Sequence, residues 1–301
     1  MNTDNPTVSD EEAANAAARS AMGEFAWPTV VLATGLGVIY AGVFLAYSLG
    51  VLPLWLATAI TAITVYASYT VLHEAVHGSI CGRHREHKRL NDAFGFVAGQ
   101  IIGTSFIAHR KEHLTHHNNT NVEGHDPDLP LAGKGGFHLV IGALRALPYQ
   151  MSYYLERHWE KASRGERRTV VLETVIAIAW RAALAIWLGP VAALCLLVVA
   201  NLVGIFITLV LFAWIVHRPH GATGRYQDTS SFVFPRALDT LISGAWLFQN
   251  YHAIHHLFPR VPFYRYRQVF RQIEPVMIRQ GAPIHRIGAR SPRAPETTSA
   301  L

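Results

Sequence analysis

The chain has 301 residues, half of them hydrophobic and 15% charged, which is too apolar for an ordinary soluble domain of this size. Its formal net charge is +6, but Lys and Arg gather beside long apolar runs, as in a membrane protein and unlike a nucleic-acid binder. Two cysteines, Cys81 and Cys195, exclude a disulfide framework, a CxxC zinc site and a cysteine-ligated iron–sulfur cluster.

Residues 1–27 are polar and acidic, without the basic start and apolar core of a secretory signal. They read as a mobile cytosolic leader. Residues 28–49 and 51–72 each have about the 20 apolar residues that a spanning helix needs, and the punctuation at Gly50 and Pro53 joins them as a tight hairpin. The second run passes directly into HEAVH, with His73 and His77, and then into a stretch dense in Arg, Lys and His. By the positive-inside rule this end faces the cytoplasm. Residues 93–108 are apolar but hold three glycines and are short for a span, so they read as re-entrant or interfacial.

Residues 137–154 are apolar and aromatic and precede a basic run over 157–168. The pattern predicts an amphipathic helix at headgroup level, with a solvated charged helix as the alternative for the Arg-rich half. Residues 169–188 and 191–216 form a second hairpin turning at Gly189 and Pro190. Arg181 lies well inside the third span, where a charge is costly; Glu173, two turns away, is the expected partner in a structural pair. The fourth run is long enough to leave the membrane and carry His217 and His220 with it. Residues 257–273 mix Phe, Tyr and Arg like an interfacial anchor, and 286–301 read as a disordered tail. The expected fold is all-α and integral to the membrane. Four transmembrane helices form two hairpins within one domain, 28–285, beneath a cytosolic helical cap, with both termini cytoplasmic.

The histidines organise this layout. All but His285 of the 17 lie within 73–158 and 217–256. His109, His113, His116 and His117 fall within an arc of roughly 100° on a helix; His125 follows them. His73 and His77 stand at i, i+4, and both the trio His113, His116, His117 and the trio His252, His255, His256 stand at i, i+3, i+4. Three helices can therefore turn imidazoles toward one centre. Eight such ligands exceed one four-coordinate zinc and suit two metals.

HEAVH, HLTHH and NYHAIHHLFPRVP resemble the three histidine boxes of the membrane fatty acid desaturase-like superfamily, which includes acyl-lipid desaturases, alkane hydroxylases, and carotenoid hydroxylases and ketolases. The resemblance covers about residues 73–270 and the four-span layout. It implies two non-haem iron ions, a di-iron oxidoreductase that uses dioxygen, and a lipid-soluble substrate such as an acyl lipid or a carotenoid. It also implies electrons from a separate ferredoxin or haem protein, since the chain shows no haem carrier domain. The implied ligands are His73, His77, His113, His116, His117, His252, His255 and His256, with a ninth at His217 or His220. VHRPH resembles the equivalent stretch of the ketolases and favours His217. His109, Asp126, Asp128, His220, Asn250 and Asn121 are candidates to hydrogen-bond the ligating rings, and Asp126 and Asp128 are equally explained as turn residues. His84, His87, His138 and His158 are expected in solvent or at headgroup level. The form of the third box favours an acyl-lipid desaturase, with carotenoid hydroxylase or ketolase and alkane hydroxylase as alternatives.

Two other classes compete. HEAVH is also the zinc-protease signature, with Glu74 as general base and Asp239 as the best third ligand, but that reading leaves six well-spaced histidines idle. A metal transporter would place ligands inside the spans, where this chain has none.

Overall fold

Two hairpins of apolar helix frame the computed structural model, which describes residues 8–288. Among the described residues, four helices are long and apolar enough to cross a membrane: α2 (Trp27–Ser48), α3 (Leu54–His77), α8 (Arg164–Leu188) and α9 (Pro190–Trp214). Between the hairpins come α4 (Lys88–Ile102), α5 (Phe106–Asn118), the short α6 (Leu129–Ala132) and α7 (Phe137–Arg157). The fold is an all-α integral membrane fold. It is completed on the histidine-bearing side by α1 (Val8–Ala21), α10 (Arg236–Ala245), α11 (His252–Leu257) and α12 (Tyr266–Arg279). One parallel two-stranded ribbon pairs β1 (Ser231–Val233) with β2 (Ile284–Arg286).

The spans follow the expected runs with shifted ends. α8 starts in the basic segment, at Arg164 instead of residue 169, because the Ser163 hydroxyl caps it by accepting from the Glu166 amide at 3.1 Å. α9 packs closely on α3 at Gly204, where a Cβ would lie 2.6 Å from Val65 Cγ1. It contains two π-helical segments, Leu194–Val199 and Leu209–Trp214.

α4 and α5 form the re-entrant element. α4 runs back along α3, where Asn91 Nδ2 donates to the Ala75 carbonyl at 2.9 Å. The chain breaks at Gly103, whose φ of +98° favours glycine, and α5 returns. A helix break among spans leaves carbonyls and amides that lipid cannot satisfy. Arg181 Nη2 donates to the carbonyls of Gln100 (2.7 Å) and Ile101 (3.2 Å), and Asn201 Nδ2 to that of Ile102 (2.8 Å). Glu173 accepts from the Ser105 hydroxyl (2.5 Å) and the Ile107 amide (3.3 Å). The expected Arg181–Glu173 pair is therefore corrected. The cation caps the C-terminus of α4 and the anion caps the N-terminus of α5, each where the helix dipole favours it.

The leader is also corrected. Residues 8–21 are helical, and Ala14 and Ala18 are wholly buried against the apolar face of α12. Arg279 of α12 pairs with Asp10. The 257–273 segment thus spends its apolar side on α1 and a second core, around Tyr266, Phe270, Ile273 and Met277, and not on an interfacial anchor. The tail boundary moves as well: Arg286 belongs to β2, and Ile287 N donates to the Val233 carbonyl at 2.9 Å. The remainder of the expected tail, 289–301, lies outside the described residues.

Candidate metal centre

Four pieces of chain converge at one end of the bundle. The last turn of α3 carries His73 and His77, α5 carries His113, His116 and His117, α11 carries His252, His255 and His256, and His217 follows α9. Their rings form two adjoining groups. His73, His77, His113, His117 and His255 bring one nitrogen each within 4.8 Å of one another, as do His116, His217 and His256. In the first group His117 Nε2 lies 3.0 Å from His113 Nε2 and 2.8 Å from His255 Nε2. The His252 ring joins the second group, 5.2 Å from His217 and 4.9 Å from His256 between centroids. The two groups touch where His117 stacks on His256 at 4.4 Å.

Several rings are oriented through their other nitrogen. His116 Nδ1 donates to Asp126 Oδ1 at 2.8 Å, and Asp128 Oδ2 stands 3.6 Å away. His252 Nδ1 faces Gln249 Oε1 at 3.0 Å. His255 Nδ1 meets the Tyr266 hydroxyl at 3.0 Å, and that hydroxyl also reaches Glu74 Oε1 at 3.4 Å. Asp228 Oδ2 lies 4.0 Å from His256 Nδ1. Such contacts fix the tautomer and leave Nε2 bare.

Other nitrogens have no hydrogen-bond partner among the described residues: both of His73, both of His217, and Nε2 of His77 and His256, all buried. An unsatisfied buried polar atom costs about 1–3 kcal/mol, so a group of them calls for a ligand. Nitrogens sharing one metal at about 2.1 Å stand roughly 3 Å apart, as the converging Nε2 atoms do. The arrangement therefore fits two metal ions. Burial pushes His252 down to about 3. It also holds His113, His117, His217, His255 and His256 well below the usual imidazole range, with the neighbouring rings adding to it. These rings are neutral near pH 7, the form a metal needs. His116 differs: burial lowers it, but Asp128 and the Asp126 hydrogen bond outweigh that and hold it up to about 9.

The other predicted residues fall as follows. His109 lies outside both groups, where its Nδ1 accepts from Gln150 Nε2 at 2.7 Å. Its ring stacks on His113 and lines an adjacent cavity. His220 joins neither group. Asn250 is corrected: its amide donates to the Phe232 carbonyl and the Ser243 hydroxyl and to no histidine. Asn121 is corrected likewise, its amide binding the carbonyls of Ala222 and Asp228. His84, His87, His125 and His138 are exposed, whereas His158 is half-buried against Tyr154. Gln249, Asp228 and Tyr266 were missed by sequence reasoning. Gln249 carried a local signal, three residues before His252; Asp228 and Tyr266 reach their rings only through the tertiary fold.

The protease arrangement does not form. Glu74 is buried and accepts from the Ser79 hydroxyl at 2.8 Å and the Phe263 amide at 3.2 Å. Asp239 accepts from the Tyr251 hydroxyl at 2.9 Å and pairs with Arg267. Beside the histidines lies a cavity of about 90 Å³, mostly apolar, walled by Leu72, Ile205, Leu209 and Phe212 and reached by His73, His113, His116, His217 and His252.

Buried imidazoles in two groups, an apolar cavity against them and a four-helix membrane frame define a membrane protein with a histidine-rich candidate metal centre. The family model for fatty acid desaturase matches residues 49–288, and the chain belongs to that family. It is similar to an omega-3 fatty acid desaturase of the endoplasmic reticulum from Nicotiana tabacum, 25% identical over 252 residues. That likeness covers 73% of this chain and 64% of the relative.

Proposed function

We propose that this protein is a di-iron lipid oxidoreductase, most simply an acyl-lipid desaturase, that uses dioxygen and two electrons from a separate ferredoxin-like or haem protein. His73, His77, His113, His117 and His255 would hold one iron, and His116, His217, His252 and His256 the other. Iron bound there would supply dioxygen activation and oxidation of an unactivated C–H bond. The protein's own part is placement. Asp126, Gln249 and Tyr266 fix the ring orientations, and the apolar cavity holds hydrocarbon beside the rings and excludes water. The observation that carries the reading is the two groups of buried imidazoles with unpartnered nitrogens facing one apolar cavity.

The basic loop around Arg83, Arg85, Lys88 and Arg89 supports a cytoplasmic position for the site and both termini and suits an acidic donor. The test is metal content of detergent-purified protein, followed by lipid and carotenoid product analysis. About two irons per chain are expected, with loss in His116→Ala. One zinc per chain, kept in His116→Ala and lost in His73→Ala, overturns the reading. Oxygenated products in place of new double bonds move it to a hydroxylase or ketolase.

A further inference from the structure

The helix α10 turns its polar face inward. Asp239 and Ser243, one turn apart, are buried. Asp239 accepts from the Tyr251 hydroxyl at 2.9 Å, and Ser243 Oγ accepts from Asn250 Nδ2 at 3.0 Å. The opposite side carries Leu238, Leu241 and Ala245, an i, i+3, i+7 stripe. Leu238 is 49% exposed and Leu241 70%, so nothing in the chain itself covers this stripe.

The depth of α10 follows from the fourth span. Trp246, directly after α10, donates Nε1–H to the Leu211 carbonyl at 3.1 Å, in the last turn of α9. Gly135, just before α7, meets the same turn: a Cβ there would lie 2.3 Å from Trp214 Nε1. The C-terminal end of α10 therefore lies where a span leaves the bilayer, the level that tryptophan favours.

Charge points the same way. A cleft of about 640 Å³ opens beside the first turn of α10, walled by Arg236, Arg267, Arg271 and Arg286 with Asp239 and Glu274. Four guanidinium groups against two carboxylates leave it cationic. Arg267 and Arg271 lean on Asp239, and Arg286 pairs with Glu274. Arg236 makes no ion pair among the described residues, and the Arg271 side chain is 59% exposed. An apolar stripe flanked by arginines at the level of the headgroups is the pattern of an in-plane helix that prefers anionic lipid.

We propose that α10 is an in-plane anchor selective for anionic lipid. Leu238, Leu241 and Ala245 enter the acyl boundary, and Arg236 and Arg271 take a lipid phosphate. Seating α10 also steadies the third histidine box, because its two inward polar groups hold Asn250 and Tyr251, the residues directly before His252. Docking of this kind is independent of the reaction at the histidines.

The test uses the full chain in nanodiscs of phosphatidylcholine, alone or mixed with phosphatidylglycerol. A nitroxide on Leu241→Cys, with Cys81→Ser and Cys195→Ser, is expected to be reached by oxygen and shielded from a water-soluble nickel chelate. Ready access by the chelate, or shielding from both reagents as under a second protein, overturns the anchor. Phosphatidylglycerol should slow hydrogen exchange over residues 236–257 by about fivefold, the effect of one arginine at a charged surface. Arg236→Gln with Arg271→Gln removes that difference and leaves exchange in α2 and α9 unchanged. Equal exchange in the two bilayers, or a difference that survives the double variant, overturns the selectivity. Equal protection by inorganic phosphate added to the neutral bilayer makes this a site for a soluble anion and overturns the lipid assignment.

Discussion

His116 differs from the other box histidines in the charge facing its second nitrogen. Asp126 and Asp128 raise it to about 9, above the ordinary value near 6.5. The sign follows from that direction. In the metal-free protein the charged ring stabilises the fold fully below about pH 6.5, and this contribution is lost as pH rises through about 9. Metal must displace that proton, while the six neutral rings outside the spans have none to give. Anaerobic iron(II) loading at pH 7 in weak buffer should release roughly one proton per chain through His116, and only about a quarter of one at pH 9.5. A release of several protons at pH 7 would show that the rings are not held neutral. Eight of the clustered histidines were legible as candidates in the sequence because helical spacing brings imidazoles to one face, whereas His217 was suggested only by the resemblance of VHRPH. Their supports were only partly so: Asp126 lies ten residues from His116 within one stretch, but Tyr266 and Asp228 contact rings on other elements. Asn250 misled because an Asn beside a histidine box is equally able to bind backbone, and here it ties the turn before α11 to β1.

At the scale of the element, the broken helix pair α4–α5 decides where the second box sits. Its exposed helix ends are satisfied by two charges from α8 that do not meet. The sequence offered both charges and invited pairing them, since Glu173 and Arg181 lie on one helix two turns apart. What it could not show is that α4 and α5 end between them, which depends on Gly103 turning the chain at that depth. The two accounts predict different double mutants. For an ion pair, Arg181→Met and Glu173→Gln would couple by about 0.5–3 kcal/mol. For separate caps, each should lower stability by about 1–3 kcal/mol, and the double variant should equal their sum within about 0.5 kcal/mol. Reversible denaturant unfolding in detergent measures the cycle.

At the scale of the molecule, two cores share the work. One lies among the spans and α4; the other lies under α1 and α12. They meet at the metal centre, because Tyr266 of α12 bonds both His255 and Glu74 of α3. The membrane core was legible as four apolar runs. The second core was not, because α1 contributes alanines among acidic residues, a composition that reads as solvated until α12 is laid against it. In this packing α1 covers the apolar face of α12, whose Val269, Phe270, Ile273 and Met277 are each no more than 2% exposed. Ala18 is itself fully buried there, so Ala18→Glu forces a charge into an apolar contact or undocks the helix. Undocking uncovers side chains worth about 1.5–3 kcal/mol each when fully buried. Hydrogen exchange in α12 should then quicken at least tenfold, and iron should be lost more readily to a chelator because Tyr266 no longer holds its ring partner firmly. Exchange in α2 and α9, which sit in the other core, should stay at the wild-type rate. Unchanged exchange in α12 would mean that the second core stands without α1 and that the leader has no part in holding the site.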